Sequence, residues 1–398
     1  MHQLLSVSAI RPEECLPSRV WHVAIVTETY PPEVNGVALT IERVVQGLQA
    51  RHHQVDVYRP HQHTGDVIQY QQRVRHILLP GVDIPWHPGV RVGLPCTSEL
   101  LAFWQAQRPD VVHIATEGPL GWSALAAARR LDLPVTSDYR THFAAYSTHY
   151  GISWMAPWIA RYLRWFHNRT DCTMVPTDAM RQSMSLDGYN GLEVVARGVD
   201  TQLFNPSRRS SMRRSAWQVP DTEPVALYVG RLAAEKNLGL LVKAFKAMQA
   251  SRPGLRLVIV GDGPERDALQ VQCTGAIFLG TLRGDELAVV YASADLFIFP
   301  SLSETYGNVI PEALASGLAV VAFDCAAAAE LITSGVSGTL VQVGCVEEFV
   351  AACSELARHQ EKIARLKSAA PSAVRELDWS AIVIQIERIW NRRIVRQQ

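Results

Sequence analysis

The sequence predicts an α/β protein built from parallel sheets in about two domains. Short, nearly continuous apolar runs rich in β-branched residues alternate with longer helical patterns along most of the chain. Such runs are typical of parallel strands that helices cover on both faces. The length of 398 residues and the 48% hydrophobic content suit about two domains of ordinary size. The chain shows no short repeat that would favour a solenoid.

The predicted strands form two series, one in each half of the chain. They cover residues 21–27, 53–58, 111–115, 134–138 and 173–176, and then 225–229, 255–260, 276–279, 296–300 and 318–323. The polar stretch 200–223 interrupts the alternation and predicts a linker. We therefore expect domains at 1–203 and 204–378. An amphipathic helix at 379–398 is expected to pack back on the first domain.

Composition excludes several classes of function. The 38 basic and 38 acidic residues balance, so no global field attracts nucleic acid. The seven cysteines are dispersed without a Cys-x-x-Cys pair, as is typical of reduced thiols in a reducing compartment. Glu13, Glu14 and Pro17 interrupt the N-terminus where a signal peptide needs an apolar run. We expect a cytoplasmic protein and leave attachment to the inner face of the cell membrane open.

The strongest candidate site follows the predicted strand at 296–300. The next segment turns into a helix at 308–316, and the free amides at a helix N-terminus suit phosphate. Gly307 permits the backbone to approach a ligand closely. Glu304 and Glu312 stand at the two ends of this turn, where carboxylates can accept bonds from the hydroxyls of a hexose and a ribose. Taken alone, the two glutamates would more often decorate a surface helix.

A second candidate segment follows the predicted strand at 225–229. The chain turns at Gly230 and continues through Arg231 and Lys236 before a helix begins near Asn237. Cations in such a turn can hold a diphosphate, although alone they would more often be a solvated face. No Asp-x-Asp occurs in the chain, so a Mg²⁺ or Mn²⁺ clamp lacks its usual ligands. The cations would take the place of a metal at a leaving diphosphate.

Together the two segments resemble the signature of the retaining GT-B glycosyltransferases, a group that includes bacterial phosphatidylinositol mannosyltransferases, sulfolipid synthases and sucrose synthases. The resemblance runs from Val20 to about Trp390 and rests on Gly-Arg-Leu-x-x-Glu-Lys-Asn and the two spaced glutamates. It implies two Rossmann-like, doubly wound domains that face each other across a cleft. It also implies catalysis without metal or cofactor, with GDP-mannose or a UDP-hexose as the donor.

The resemblance assigns roles to individual residues of the second half. Arg231 and Lys236 would contact the diphosphate, Glu304 the sugar hydroxyls at the reacting centre, and Glu312 the ribose. The backbone of three neighbouring residues would meet phosphate or sugar: Tyr306, Gly307 and Asn308. Gly261 would lie near the nucleotide, with the base near Leu282. The turn at Gly261 does not predict NAD, because Arg266 stands where a dinucleotide fingerprint needs its third glycine.

The first half would supply the acceptor side. The family commonly has Gly-Gly after its first strand, where this chain has Asn35-Gly36. Gly36 is expected beside the diphosphate and Asn35 on the acceptor side, with Glu117 and Asp138 as further acceptor contacts. A buried helix-capping role suits Glu117 almost as well. His142 is expected beside the reacting sugar, where it would stabilise developing charge, although an isolated histidine is more often structural.

Two departures from the family bear on the choice of donor or acceptor. Ala326–Ala329 replace the usual glycine-rich turn, and Arg197 stands where Asn is common. Retention follows from the resemblance: the acceptor hydroxyl attacks on the face from which the phosphate departs, without an enzyme nucleophile. The alternatives are a non-catalytic sugar-nucleotide sensor, or a nucleotide-sugar epimerase or phosphorylase on the same scaffold.

The segment 152–169 suggests a lipid or lipid-linked glycan acceptor. Aromatic residues recur there at helical spacing, with arginines between them: Trp154, Trp158, Tyr162 and Trp165, then Arg161, Arg164 and Arg169. Such a stripe is typical of a helix that lies on an anionic membrane. A helix whose aromatic stripe packs into the core, with solvated arginines, fits the same pattern about equally well.

Overall fold

A computed structural model describes residues 19–33, 35–61, 66, 70–83, 91–139, 155–302 and 304–394. An eight-stranded sheet occupies the first half of the chain and a six-stranded sheet the second. Helices connect the strands, so the predicted α/β class with two mainly parallel sheets is confirmed. The domain limits at 203 and 378 stay a prediction.

The strands of the first half belong to the large sheet and to one small hairpin. They are β1 (His22–Val26), β2 (Gln54–Pro60), β3 (Tyr70–Gln71), β4 (Val74–Leu79), β5 (Gly81–Asp83), β6 (Arg91–Gly93), β7 (Val111–Ile114), β8 (Val135–Asp138), β9 (Cys172–Val175) and β10 (Leu192–Val194). The large sheet has the order β10-β9-β8-β7-β1-β2-β4-β3, in which β3 pairs antiparallel with β4 and the other pairs are parallel. β5 and β6 pair with each other.

The second sheet is wholly parallel. Its strands are β11 (Val225–Val229), β12 (Arg256–Val260), β13 (Ile277–Phe278), β14 (Leu296–Phe299), β15 (Ala319–Phe323) and β16 (Gly338–Val341), in the order β13-β12-β11-β14-β15-β16. Counted along the chain, this is the doubly wound order of a Rossmann fold, with its switch point between β11 and β14. The corresponding switch point of the first sheet lies between β1 and β7. Ligands bind at the carboxyl ends of strands at such points.

Helices alternate with the strands. They are α1 (Gly36–Ala50), α2 (Thr97–Ala106), α3 (Pro119–Arg130), α4 (Ala156–His167), α5 (Asp178–Leu186), α6 (Ser211–Ala216), α7 (Leu238–Ser251), α8 (Arg266–Gln272), α9 (Gly284–Ser293), α10 (Val309–Ala315), α11 (Ala326–Leu331), α12 (Val346–Arg358), α13 (Gln360–Ala369) and α14 (Trp379–Ile394). In the described part of the chain, no helix is both long and apolar enough to cross a membrane.

The last helix, α14, packs against the first sheet. Its buried apolar face belongs to the same core cluster as Trp21 and α1. The ring of Trp390 lies 6.4 Å from that of Trp21, edge to face. Glu387 accepts hydrogen bonds from Arg51 and from the buried ring of His53. Apolar burial and one paired carboxylate therefore hold the end of the chain on its first half.

The strands predicted from sequence are all present, with ends within two residues of the predicted ones. Six strands were missed: β3, β4, β5, β6, β10 and β16. Most are short or carry charged residues, so they lack the continuous apolar run of a central strand. Pairing with a neighbouring strand is what makes them strands.

The segment 200–223 is not the simple linker that its polar composition predicts. It contains α6 and the side chain of Arg214, which is 1% exposed. The Arg214 guanidinium donates to Asp295 at 3.0 Å and to surrounding backbone carbonyl oxygens. A buried cation is stable where its donors are paired. The polar composition therefore reflects packing against the second sheet.

Trp390→Ala should lower the free energy of unfolding by about 3–5 kcal/mol, because the substitution leaves a large cavity between α14 and the first sheet. Urea unfolding measures the change. Arg392→Ala on the same helix is the control: its side chain is 59% exposed and pairs with Glu193, so its loss should cost less than about 1 kcal/mol. Equal losses in the two variants would contradict the packing described here.

Candidate functional site

The two candidate segments of the second half meet at the switch point of the second sheet. The turn after β11 carries Lys236, and the turn after β14 carries Glu304. Their side chains form an ion pair with Nζ 2.5 Å from Oε1. Next to it, the Asn237 side-chain amide donates to the carbonyl oxygen of Pro300 at 3.2 Å. The structure thus brings both predicted motifs into one site.

Glu304 is held at the rim of a small cavity. Its carboxylate also accepts a bond of 2.8 Å from the Ser301 hydroxyl. The cavity is lined in part by Tyr306, Cys325 and Ala326. Ala326 has a φ of +49°, a left-handed conformation that favours glycine. The family's glycine-rich turn is thus replaced in sequence, while at Ala326 the backbone keeps a conformation suited to glycine.

Glycines shape two turns at the carboxyl ends of the strands of the second sheet. A Cβ on Gly261 would lie 1.9 Å from the carbonyl oxygen of Gly230, and Gly261 has a φ of +135°. Only glycine permits the turn after β12 to approach the turn after β11 so closely. Gly307 has a φ of +91° between Glu304 and α10. Gly307 lies in the turn that carries Glu304, where a Cβ would be 3.5 Å from the Glu304 side chain.

Arg231 lies on the solvent side of the same turn. Its side chain is 50% exposed and pairs with Glu235 at 3.7 Å. The backbone carbonyl of Arg231 accepts a bond from the buried Tyr228 hydroxyl, which fixes the turn while the guanidinium remains accessible. Leu282, near which the base was predicted, is half-buried against the hydrophobic core around the second sheet.

The carboxylate of Glu312 lies against the buried residue Tyr291 of α9. The Tyr291 hydroxyl donates to Glu312 Oε2 at 3.0 Å. Burial raises the pKa of Glu312 from its ordinary 4.5 to about 7, because the charged form is desolvated. The contact with a ribose stays a prediction, and near neutral pH the Glu312 carboxyl is only partly ionised.

Residues of the first half face the turn that contains Tyr306 and Asn308. A Cβ on Gly36 would lie 3.4 Å from the side-chain nitrogen of Asn308. The Tyr306 hydroxyl donates to the carbonyl oxygen of Arg197. Asn35 caps α1 by accepting bonds from the first amides of that helix. Gly36 thus lies next to Asn308, and its contact with the diphosphate stays a prediction. Asn35 has a structural role as the N-cap of α1.

The predicted acceptor carboxylates are paired inside the first half. Glu117 lies 3.2 Å from the buried ring of His167, and Asp138 lies 2.9 Å from the buried ring of His113. Contact of either carboxylate with an acceptor stays a prediction. His142 lies outside the described residues.

Glu28 is a buried carboxylate that sequence reasoning missed. It is 8% exposed and accepts bonds from the backbone amides of Gly93 and Leu120. Burial raises its pKa to about 7. Its only sequence signal is its place directly after β1, at the switch point of the first sheet. It joins that strand end to the start of α3.

Helix α4 exposes part of its aromatic stripe. Leu163, Phe166 and His167 are buried, whereas Trp158 is 66% and Trp165 39% exposed. Arg169 lies over the Trp165 ring at 4.3 Å, and Tyr162 donates to the carbonyl oxygen of Glu117. The helix is anchored by one face and presents two tryptophans to solvent; Trp154 lies outside the described residues.

No group of three or more potential metal ligands occurs among His, Cys, Asp and Glu residues in the described ranges.

Two family models match the chain in succession. The model described as Glycosyltransferase Family 4 matches residues 34–203, and the model described as Glycosyl transferases group 1 matches residues 223–359. Together they cover most of both sheets.

Curated relatives match over most of their own length. A GDP-mannose-dependent alpha-mannosyltransferase of Corynebacterium glutamicum is 33% identical, covering 92% of this chain and 88% of that protein. A protein of the same name from Mycobacterium tuberculosis is 37% identical over 81% of this chain and 84% of its own. An alpha-monoglucosyldiacylglycerol synthase of Streptococcus pneumoniae is 30% identical over 75% and 70%.

Solved structures share the fold at low sequence identity. Sucrose-phosphate synthase from Thermosynechococcus elongatus aligns with a TM-score of 0.77 at 18% identity, covering 94% of this chain and 99% of that one. Anabaena HepE in complex with UDP and glucose aligns with a TM-score of 0.72 at 20% identity, covering 92% and 98%. These likenesses confirm the predicted GT-B architecture.

Glu312→Gln should become progressively more stable relative to the wild type as the pH rises from about 5 to 8. The folded protein holds the Glu312 proton more tightly than the unfolded chain, so this group's stabilising contribution is present below pH 4.5 and is lost as the pH rises through 7. The difference should approach about 3 kcal/mol. Urea unfolding at several pH values measures it.

Glu361→Gln, at an exposed position of α13, controls for the removal of a surface carboxylate. A pH-independent difference between Glu312→Gln and the wild type would contradict the burial of this carboxylate.

Proposed function

Because the chain belongs to the glycosyltransferases of family 4 and group 1, we propose that it transfers a hexose from a nucleoside diphosphate sugar to a lipid or glycan acceptor, with retention of anomeric configuration. The observation that carries the proposal is the Lys236–Glu304 ion pair at the switch point of the second sheet. It joins a cation suited to a diphosphate with a carboxylate suited to sugar hydroxyls.

The site supports a transfer without an enzyme nucleophile. Arg231 and Lys236 stabilise the negative charge that grows on the diphosphate as its bond to the anomeric carbon breaks. The acceptor oxygen forms its bond to that carbon on the same face, and its proton passes to a phosphate oxygen of the leaving group. Glu304 orients the sugar through its hydroxyls. Glu312 accepts bonds from the ribose when it is ionised.

GDP-mannose is the donor that the names of two relatives indicate. Two of them, at 33% and 37% identity, are named GDP-mannose-dependent alpha-mannosyltransferases. A UDP-hexose is the second candidate, since HepE was solved with UDP and glucose. The turn at Cys325 and Ala326 borders the cavity at Glu304, so it can contribute to the choice of sugar.

The acceptor is a lipid or a lipid-linked glycan at the inner face of the cell membrane. The name of the Streptococcus pneumoniae relative refers to a diacylglycerol lipid. Helix α4 exposes Trp158 and Trp165, and Arg129 and Arg169 lie together beside it, with Arg129 donating to the carbonyl oxygen of Arg169. Exposed indole rings with nearby cations suit the headgroup region of an anionic membrane.

A donor panel with a lipid extract tests the function. GDP-mannose, UDP-glucose and UDP-galactose are each incubated with the protein and vesicles, and nucleotide release is measured. We expect release from one donor, with the product shown by NMR to keep the donor's anomeric configuration. Binding without release would identify a sensor, and conversion of the free nucleotide sugar would identify an epimerase.

Lys236→Ala should reduce turnover roughly 30-fold or more, while EDTA leaves the wild type active. The lost charge-assisted contact would raise the transition-state free energy by about 2–4 kcal/mol. Initial rates with the active donor measure both effects. Lys243→Ala, at an exposed position of α7, is the matched control and should keep wild-type turnover. Inactivation by EDTA that Mg²⁺ reverses would overturn the assignment of the cations.

Arg161→Gln should weaken binding to anionic vesicles roughly fivefold, because a cation at such a surface contributes about 1 kcal/mol. Trp158→Ala should weaken it further by removing an exposed ring. Co-sedimentation with phosphatidylglycerol and phosphatidylcholine vesicles at low salt measures binding. Arg365→Gln on α13 is the control. Binding that both α4 variants retain in full would show that the membrane does not contact this helix.

A further inference from the structure

Arg197 reaches the candidate site from the first half of the chain. It follows β10 and is only 8% exposed. The resemblance to known glycosyltransferases gives this residue no role, since Asn is common at its position.

The guanidinium of Arg197 lies among the residues expected around the donor phosphates. Its Nη1 is 3.3 Å from the side-chain oxygen of Asn308 and 3.8 Å from the position a Cβ would take on Gly36. Its Cζ lies 5.8 Å from the centre of the Tyr306 ring. Gly36 belongs to the first half, whereas Tyr306 and Asn308 belong to the second. Arg197 is therefore placed where the two halves meet.

The chemistry of this position favours an anion. A guanidinium keeps its charge and presents several donors in a planar fork that matches phosphate oxygens. A phosphate oxygen forms a shorter, charge-assisted bond with a guanidinium than the bond of 3.3 Å from Nη1 to the Asn308 side chain. Gly36 carries no side chain, so its backbone lies close to both the guanidinium and the Asn308 side chain.

We propose that Arg197 is a third cation for the donor diphosphate, supplied from the first half, opposite Arg231 and Lys236. This inference rests on the proposed function, because it requires a nucleoside diphosphate at this site. The donor diphosphate then contacts cations from both halves of the protein. The bond from the Tyr306 hydroxyl to the Arg197 carbonyl oxygen keeps the backbone of Arg197 next to the turn that the same anion contacts.

The test compares nucleotides that differ by one phosphate. Affinities for GDP and GMP, and for UDP and UMP, are measured by calorimetry with the full chain. Arg197→Gln should lower the affinity for the preferred diphosphate roughly tenfold and change that for its monophosphate less than about twofold. Arg197→Lys should lose less, because it keeps the charge. Arg43→Gln is the control. Arg43 lies on α1, its side chain is 40% exposed, and it pairs with Asp200, three residues after Arg197.

Equal losses for the diphosphate and the monophosphate, or no loss, would overturn the role of Arg197. If Arg197→Gln does not fold, Arg197→Asn takes its place with the same expected outcomes, because it carries the residue common in the family. Failure of the wild type to bind either diphosphate would instead overturn the proposed function. A wild type that prefers GDP to GMP, with a variant that keeps this preference, overturns the inference alone.

Discussion

The ion pair between Lys236 and Glu304 is the interaction on which the site depends. It joins the turns after β11 and β14, the two neighbouring strands between which the strand order of the second sheet reverses. Both side chains are largely buried, at 14% and 16% exposed, so each charge is partly compensated by the other. In the proposed reaction, the donor meets a cation and a carboxylate that are already in position. Little reorganisation is then needed when charge develops in the transition state.

Glycines shape the turns at this end of the second sheet. The close approach of Gly261 to Gly230 lets two strand-end turns share one surface, and the positive φ of Gly307 directs the next turn toward α10. From the other side, Gly36 and Arg197 meet Asn308, and Glu330 accepts a bond from the Asp178 amide at the start of α5. Among the described residues, these contacts between the two halves involve polar side chains and backbone.

Buried carboxylates organise the first half. Glu28 binds the amides at the start of α3, and Glu117 pairs with His167 at the end of α4. The Tyr162 hydroxyl of α4 contacts the carbonyl oxygen of the same Glu117. The helix with exposed tryptophans is therefore attached directly to a strand end at the switch point. A membrane contact at that helix would place the acceptor side of the cleft next to the lipid surface.

The sequence by itself determined the α/β class, the central strands and the two motifs of the second half, because apolar runs and glycine turns have local physical causes. Tertiary structure decided which polar groups meet. The pairing of Lys236 with Glu304 agrees with their motifs, but the burial of Arg214 and Glu28 depends on partners far away in the chain. The same holds for Glu312, whose carboxylate faces Tyr291, and for Arg197, whose neighbours come from both halves. The sequence alone does not show whether a carboxylate or a guanidinium lies at the surface or in the core. Only the partners that folding brings within hydrogen-bond distance decide which of the two it occupies.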